Sequence, residues 1–230
     1  MISRYGIMQK RDDMTTEQFA KHWKEVHGPI VTKMDGIRHY RQNLVTNTSQ
    51  LGIGFATRSP LVADGFSELC YDSIADMEKG MASQATDAQA DIPLFLKDCQ
   101  MVVALKRKVI PVPDNYPRPL IKRMTFLKRK PEISAEAFVW EWLGLHAEMV
   151  KFMPYVVGYH QNVIVDRIIG GKSVSYDQLP YDGIVEFWFE NVEQLEACFA
   201  SPAYSYTGTH GKTFLDTMTT FLVEETPILA

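Results

Sequence analysis

At 230 residues with 46% apolar side chains, the chain is long enough for one large domain or for two of about 100–115 residues, each with an ordinary core. A net charge of −4 and the lack of any long basic run exclude the clustered Lys and Arg that phosphate neutralisation needs, so nucleic acid is not an expected partner. No stretch reaches the roughly 18–20 apolar residues of a membrane span, the opening Met1–Tyr5 carries no signal-peptide core, and three scattered cysteines (Cys70, Cys99, Cys198) read as reduced thiols, so a cytoplasmic location is expected.

A strand is predicted over residues 4–10. Thr15 or Thr16 caps the helix that follows, with Glu17 in its first turn. Phe19, Trp23 and His27 recur at i, i+4 and i+8, which places them on one helix face, and Gly28-Pro29 is expected to break the helix just after the histidine. A second strand over 36–46 puts Tyr40 and Gln42 on one face. The connection 47–60 is long enough to serve as a lid or rim. Asp64-Gly65 and Glu68 mark a third strand, residues 73–83 a helix with Met77 and Met81 on its apolar face, and a further helical segment ends at Phe95-Leu96. A last strand spans 99–108, and a Pro-rich linker follows around Pro111–Pro117.

The same order then returns. Shifting the sequence by 119 residues lays Ile2–Asn43 on Ile121–Asn162, and 11 of the 42 pairs are identical, among them Arg4/Arg123, Phe19/Phe138, Trp23/Trp142, His27/His146, Tyr40/Tyr159, Gln42/Gln161 and Asn43/Asn162. Chance would supply two or three, at roughly 6% per position. Asp64-Gly65 with Glu68 recurs at an offset of 118 as Asp182-Gly183 with Glu186. The predicted elements of the second copy are strands over 123–128 and 156–166, a loop over 167–180, a helix over 191–201 bearing Leu195 and Phe199, and a last strand over 218–225.

Each copy therefore reads β-α-β-β-α-β, the ferredoxin-like split βαβ arrangement. The expected fold class is α+β, with two tandem ferredoxin-like modules: residues 1–110, a linker 111–118, and residues 119–230. Two helices cover one face of such a sheet, and the bare face must be buried. Packing the two sheets face to face gives a dimeric α+β barrel within one chain, with any small-molecule pocket expected in its lumen. A monomeric pseudo-dimer or a homodimer of such units is expected.

The phrases Met-Thr-x-Glu-x-Phe-x-x-x-Trp-x-x-x-His-Gly-Pro (14–29), Gly-Ile-x-x-Tyr-x-Gln-Asn (36–43) and Asp-Gly-Phe-x-Glu-Leu (64–69) resemble the EthD family of the dimeric α+β barrel superfamily, and weaker forms recur in the second copy. The resemblance implies a small barrel without metal or organic cofactor. It also implies kinship with 4-methylmuconolactone methylisomerase, anthrone oxygenases, and decarboxylases or dehydratases of aromatic polyketides. In methylisomerase-like members a His at the end of the first helix and a Tyr on the second strand serve the active site. Those positions fall on His27 and Tyr40, and on His146 and Tyr159. Glu186-Phe187-Trp188-Phe189 and His210-Gly211-Lys212 look like that subgroup's third-strand and last-helix segments, although Phe187 stands where the subgroup has a cysteine.

Candidate roles follow from chemistry. His27 and His146 can move protons near neutrality, or can instead cap their helices. Tyr40 and Tyr159 can hold a carbonyl oxygen, or fill the lumen. Glu68 and Glu186 sit mid-strand, either as bases of raised pKa or as ion-pair partners of Arg4 and Arg123. Gln42, Gln161, Trp188 and His210 are candidate substrate contacts, with a surface role open for His210. No His-x-x-x-His or paired-cysteine pattern indicates a metal. The leading expectation is a cofactor-independent isomerase, dehydratase or decarboxylase acting on a small carbonyl-bearing metabolite. Alternatives are a cofactor-free monooxygenase and a non-catalytic ligand-binding or stress-response protein, with haem binding a third possibility.

Overall fold

The structure, a computed structural model, describes residues 1–54 and 56–229, apart from the side chain of Ala85. Phe55, within the long first loop, lies outside the described residues. In the first module, β1 (Ile2–Lys10) leads to α1 (Thr16–His22), a π-helical turn (Trp23–His27) and α2 (Gly28–Val31). Then come β2 (His39–Asn47), β3 (Gly65–Tyr71), α3 (Ile74–Ser83), α4 (Ala85–Phe95) and β4 (Leu96–Ile110). The second module repeats this as β5 (Ile121–Arg129), α5 (Ala135–Glu141), a π turn (Trp142–His146), α6 (Ala147–Val150), β6 (Gly158–Ile169), the short β7 (Lys172–Ser173), β8 (Gly183–Phe189), α7 (Val192–Phe199), α8 (Pro202–Phe214) and β9 (Leu215–Leu229).

Local chemistry explains the boundaries. Thr15 caps α1 in a reciprocal capping box with Gln18. Ser73, Ser134, Asn191 and Ser201 each accept a backbone N–H at the start of a helix. Gly28-Pro29 does not end the first helix as expected. Pro29 falls in the first turn of α2, where its missing N–H costs no hydrogen bond, so the chain stays helical to Val31.

Each module forms a sheet in the order β4-β1-β3-β2 or β9-β5-β8-β6. The modules join twice, by β2 pairing with β9 and β4 with β6, all antiparallel, so eight strands close into a barrel with β7 appended to β6. Alternation along each strand then sends one set of side chains inward and the other outward beneath the helices. Tyr5, Ile7, Phe66, Val102, Met124, Phe126, Ile184 and Phe221 fill the lumen as a packed core. No described helix is long and apolar enough to cross a membrane.

The repeated Asp-Gly phrase has a packing cause. Asp64 accepts the N–H of Lys10 and Asp182 that of Arg129, which ties the start of β3 and β8 to the end of the neighbouring strand. A Cβ on Gly65 would stand 2.7 Å from Trp23, and one on Gly183 would stand 2.3 Å from Trp142. The absent side chains let the helix Trp rings rest on the sheet.

One end of the lumen is charged. Lys122, 1% exposed, lies 2.7 Å from Glu186, 2.6 Å from Glu225 and 3.6 Å from Glu68. Lys106 pairs with Glu68 and, at 2.9 Å, with Glu186. Burial pushes both glutamates up, and Glu186 adds to this for Glu68, but the two lysines outweigh these effects and hold both carboxyls below the ordinary range. Arg4 and Arg123 take no part in these pairs, contrary to expectation, because strand alternation turns them to the outer face of the wall. Glu68 and Glu186 are accordingly ionised partners of lysine rather than bases of raised pKa.

Two stability outcomes are expected. Gly183→Ala should cost about 1–3 kcal/mol through overpacking against Trp142. Lys122→Met should cost about 3–5 kcal/mol by stranding buried carboxylates, against less than about 1 kcal/mol for Lys128→Met at the half-exposed Lys128–Asp216 pair. Denaturant midpoints at pH 7 measure all three.

Candidate active site

The sheet's outer face and the helices over it create the candidate sites. In the first module the π turn closes through the Gly28 N–H on the Trp23 carbonyl, five residues back. Such turns concentrate at functional positions because the extra residue re-phases the helix. Gln42, reaching up from β2, donates to the same carbonyl at 2.8 Å and to the Tyr40 hydroxyl at 3.0 Å. The indole of Trp23 donates to that hydroxyl at 3.0 Å. With two donors on its oxygen, the phenol proton of Tyr40 is directed elsewhere. Asn43, on the opposite face of β2, donates to the Phe66 carbonyl and locks β2 to β3. The Tyr-x-Gln-Asn phrase is thus a frame that fixes the helix turn carrying His27.

His27 ends that turn and is 9% exposed. Its Nδ1 lies 2.8 Å from Asp91 on α4, whose other oxygen lies 2.9 Å from His22 Nε2. Phe95 packs against both imidazoles, with ring centroids 4.9 and 5.0 Å away. A carboxylate accepting from Nδ1–H leaves the lone pair on Nε2 and holds the ring in place. Burial lowers the His27 pKa; the Asp91 hydrogen bond and charge raise it but do not cancel that effect, so the imidazole is below its ordinary value of 6.5 and neutral at pH 7. Burial also raises the Tyr40 pKa, which keeps the phenol protonated as a donor.

His27 and Tyr40 open on a cavity of about 940 Å³. Met8, Met34, Met77, Met81 and Met101 give it a deformable apolar wall, and Arg4 stands among them. Part of the rim comes from the other module. The β6–β7 hairpin turns through Gly170 and Gly171, both at positive φ as a tight two-residue turn requires, and sets them with Ser173 at the cavity. The loop 47–60 crosses the other way. Ile53 packs in the second module's outer core, and Gln50 and Arg58 donate to carbonyls of β9.

The second module keeps the glutamine bonds of the frame, loses the indole bond of Trp142 and loses the space. Gln161 donates to the Trp142 carbonyl at 2.7 Å and to the Tyr159 hydroxyl at 2.9 Å. His210 stands at the repeat position of Asp91, and Glu141 at that of His22. His146 Nδ1 lies 3.3 Å from His210 Nδ1, and His210 Nε2 lies 3.1 Å from Glu141. Glu141 fixes the proton on His210 Nε2, so His210 Nδ1 accepts from His146 Nδ1–H, and His146 again keeps its lone pair on Nε2. Burial first, then neighbouring His210, pulls the His146 pKa down to about 3. Phe187 stacks on Tyr159 at 4.6 Å and meets Phe199, leaving about 40 Å³.

The structure thus brings His27 and Tyr40 together, and His146 and Tyr159, and gives His210 a partly buried place beside His146. Gln42 and Gln161 are buried and spend their amides on the protein. Glu68, Glu186 and Trp188 lie on the opposite side of the barrel wall from both His–Tyr pairs. Trp188 packs under Lys122 at the charged end of the lumen, where a separate recess of about 230 Å³ is lined also by His160 and Val112–Asp114. The expected lumenal pocket is therefore corrected, because the helices enclose the His and Tyr on the outer face. Asp91, His22, Glu141 and Arg4 are the site residues that motif reading passed over. The offset of 119 pairs His22 with Glu141 and Asp91 with His210, and that exchange was a usable signal. Among the described residues no group of three or more His, Cys, Asp or Glu is arranged to hold a metal ion.

Comparison with known proteins matches the fold over its whole length. An anthrone oxidase-like protein superposes with a TM-score of 0.66 at 9% identity, over 99% of this chain and 93% of its own. A candidate monooxygenase from Lactobacillus acidophilus gives 0.59 at 11%, over 98% and 94%. One from Fusobacterium nucleatum gives 0.61 at 9%, over 97% and 91%. Identities this low establish a shared fold, in which one chain carries the entire barrel. No curated protein matches the sequence significantly. The profile of the EthD domain matches twice, over residues 11–98 and 130–218. With most of its length inside those two matches, the chain belongs to the EthD domain family.

Proposed function

We propose that the first module is an acid–base site for a small, largely apolar carbonyl compound. The observation that carries this reading is that His27, with its tautomer fixed by Asp91, and Tyr40, with its proton unclaimed, open on one roomy apolar cavity. His27 Nε2 takes a proton from the carbon next to the substrate carbonyl. The C–H electrons move into the carbonyl, and Tyr40 donates a hydrogen bond to the resulting enolate oxygen. Asp91 stabilises the imidazolium so formed. From the enolate, reprotonation at another carbon gives isomerisation and loss of a leaving group gives dehydration. Reaction with O2 at an anthrone-type methylene places one oxygen atom on carbon as a new carbonyl and releases the other as water. Fold similarity to proteins named as candidate monooxygenases and as anthrone oxidase-like supports the oxygen-consuming course. A second reading, in which the chain holds a ligand without turnover, draws on the second module, where the His–Tyr frame persists with almost no cavity.

Screening anthrone-type and lactone substrates under air and under nitrogen separates these courses. With any substrate so found, His27→Ala should lower kcat about 10²–10⁴-fold, whereas His146→Ala should leave it within about twofold. Unchanged turnover in His27→Ala would sink the proposal.

The base must be unprotonated, so kcat/KM should be flat at neutral pH and fall about tenfold per unit below the His27 pKa. That inflection should lie below 6.5, since burial lowers this group. Asp91→Asn removes the influence that raises the pKa, so the inflection should move lower still, while the loss of ring orientation cuts kcat by at least about tenfold. An inflection that rises in Asp91→Asn would contradict the assigned dyad.

A further inference from the structure

Arg4 and Arg123 are among the identical positions of the repeat, yet among the described residues neither has a carboxylate within ion-pair distance. Arg4 projects from β1 toward the helices, opposite Leu69 and Val103 in the neighbouring strands. Its side-chain contact is with the Met101 sulfur, a poor partner for a cation. The carboxylates that share the cavity are committed elsewhere or lie at exposed positions. Asp98 accepts from Gln100, Asp166 accepts from Ser173 and the Arg167 N–H, and Glu78 is exposed on α3. A guanidinium is charged at any physiological pH, and Arg4 is half-buried, so a charge shielded from much of the solvent lacks an anionic partner. The cavity is the side from which a partner can arrive.

The second copy shows what occupies this group when no ligand can. Arg123 donates to Thr220 at 3.2 Å, and its guanidinium carbon lies 4.4 Å from the Phe199 ring. The repeat partners of Thr220 and Phe199 are Met101 and Met81. In the first copy, therefore, the hydroxyl is gone, a flexible thioether replaces the ring, and about 940 Å³ replaces about 40 Å³.

We propose that Arg4 binds an anionic oxygen group of the substrate, a carboxylate or an ionised phenol, so that the ligands of this cavity are apolar acids rather than neutral carbonyl compounds. The inference rests on the assignment of this cavity as the substrate site. A planar fork beside a methionine wall suits a flat aromatic or polyketide-type acid: bidentate recognition orients the charged end, and the apolar body covers the thioethers.

Binding tests this on the full chain without knowledge of the substrate. Benzoate, 2-naphthoate and anthracene-2-carboxylate are titrated calorimetrically at pH 7.5, each beside its methyl ester. At least one acid should bind tenfold or more tightly than its ester. Arg4→Gln should bring that pair within about twofold while Arg123→Gln leaves the preference intact. Should Arg4→Gln fail to fold, Arg4→Lys, which keeps the charge but loses the fork, should weaken the acid at least threefold with the ester unchanged. Equal binding of every acid and its ester, or a preference left undiminished by Arg4→Gln or, in its place, by Arg4→Lys, overturns the proposal. His27→Ala should keep the acid preference. If it keeps the preference and also full turnover, the acid–base reading fails while the Arg4 assignment stands.

Discussion

The unpaired edges of each four-stranded sheet are the constraint on which the rest of the molecule depends. A ferredoxin-like sheet exposes two rows of backbone N–H and C=O groups and one bare apolar face. Pairing β2 with β9 and β4 with β6 satisfies both requirements at once: the edges vanish and the bare faces become a lumen. Duplication within one chain makes the closure intramolecular, so it does not depend on protein concentration.

Closure also decides where chemistry can occur. The lumen is consumed by packing at its centre and by the Glu68, Glu186, Lys106 and Lys122 cluster at one end. Space for a ligand remains beneath the helices, where His27 and Tyr40 face the outer wall. Because the modules interlock, the β6–β7 hairpin of the second rims the first cavity, which is therefore not complete within its own module, and Ile53 of the first packs in the outer core of the second.

The two copies have diverged around a preserved proton arrangement. His27 relies on Asp91, with His22 behind it; His146 relies on His210, with Glu141 behind it. Either chain of groups leaves Nε2 of the helix-end histidine as the acceptor. Phenylalanines in place of Leu69 and Met81 then close the second copy. The persistence of the glutamine bonds there agrees with their structural duty, since Gln161 still anchors the π turn after the space has gone.

The sequence by itself determined the repeat, the βαββαβ order of each copy and the barrel class. Those properties are written in local periodicity and in side chains repeated at a nearly constant offset, whereas the expectation that His27 and Tyr40 share a site came from the family resemblance. Helix ends were less legible at Gly28-Pro29, where a first-turn proline leaves the helix intact. What only the tertiary structure decided was which face of the wall each residue meets and what stands opposite it. Tyr40 and Glu68 belong to adjacent strands, yet pleating sends one under a helix and the other into the lumen. Asp91 reaches His27 across 64 residues, and across the module boundary Lys106 reaches Glu186 and Lys122 reaches Glu68. A one-dimensional pattern carries the alternation of side chains but not the choice of which face is enclosed, because that choice is made by strand pairings between distant segments.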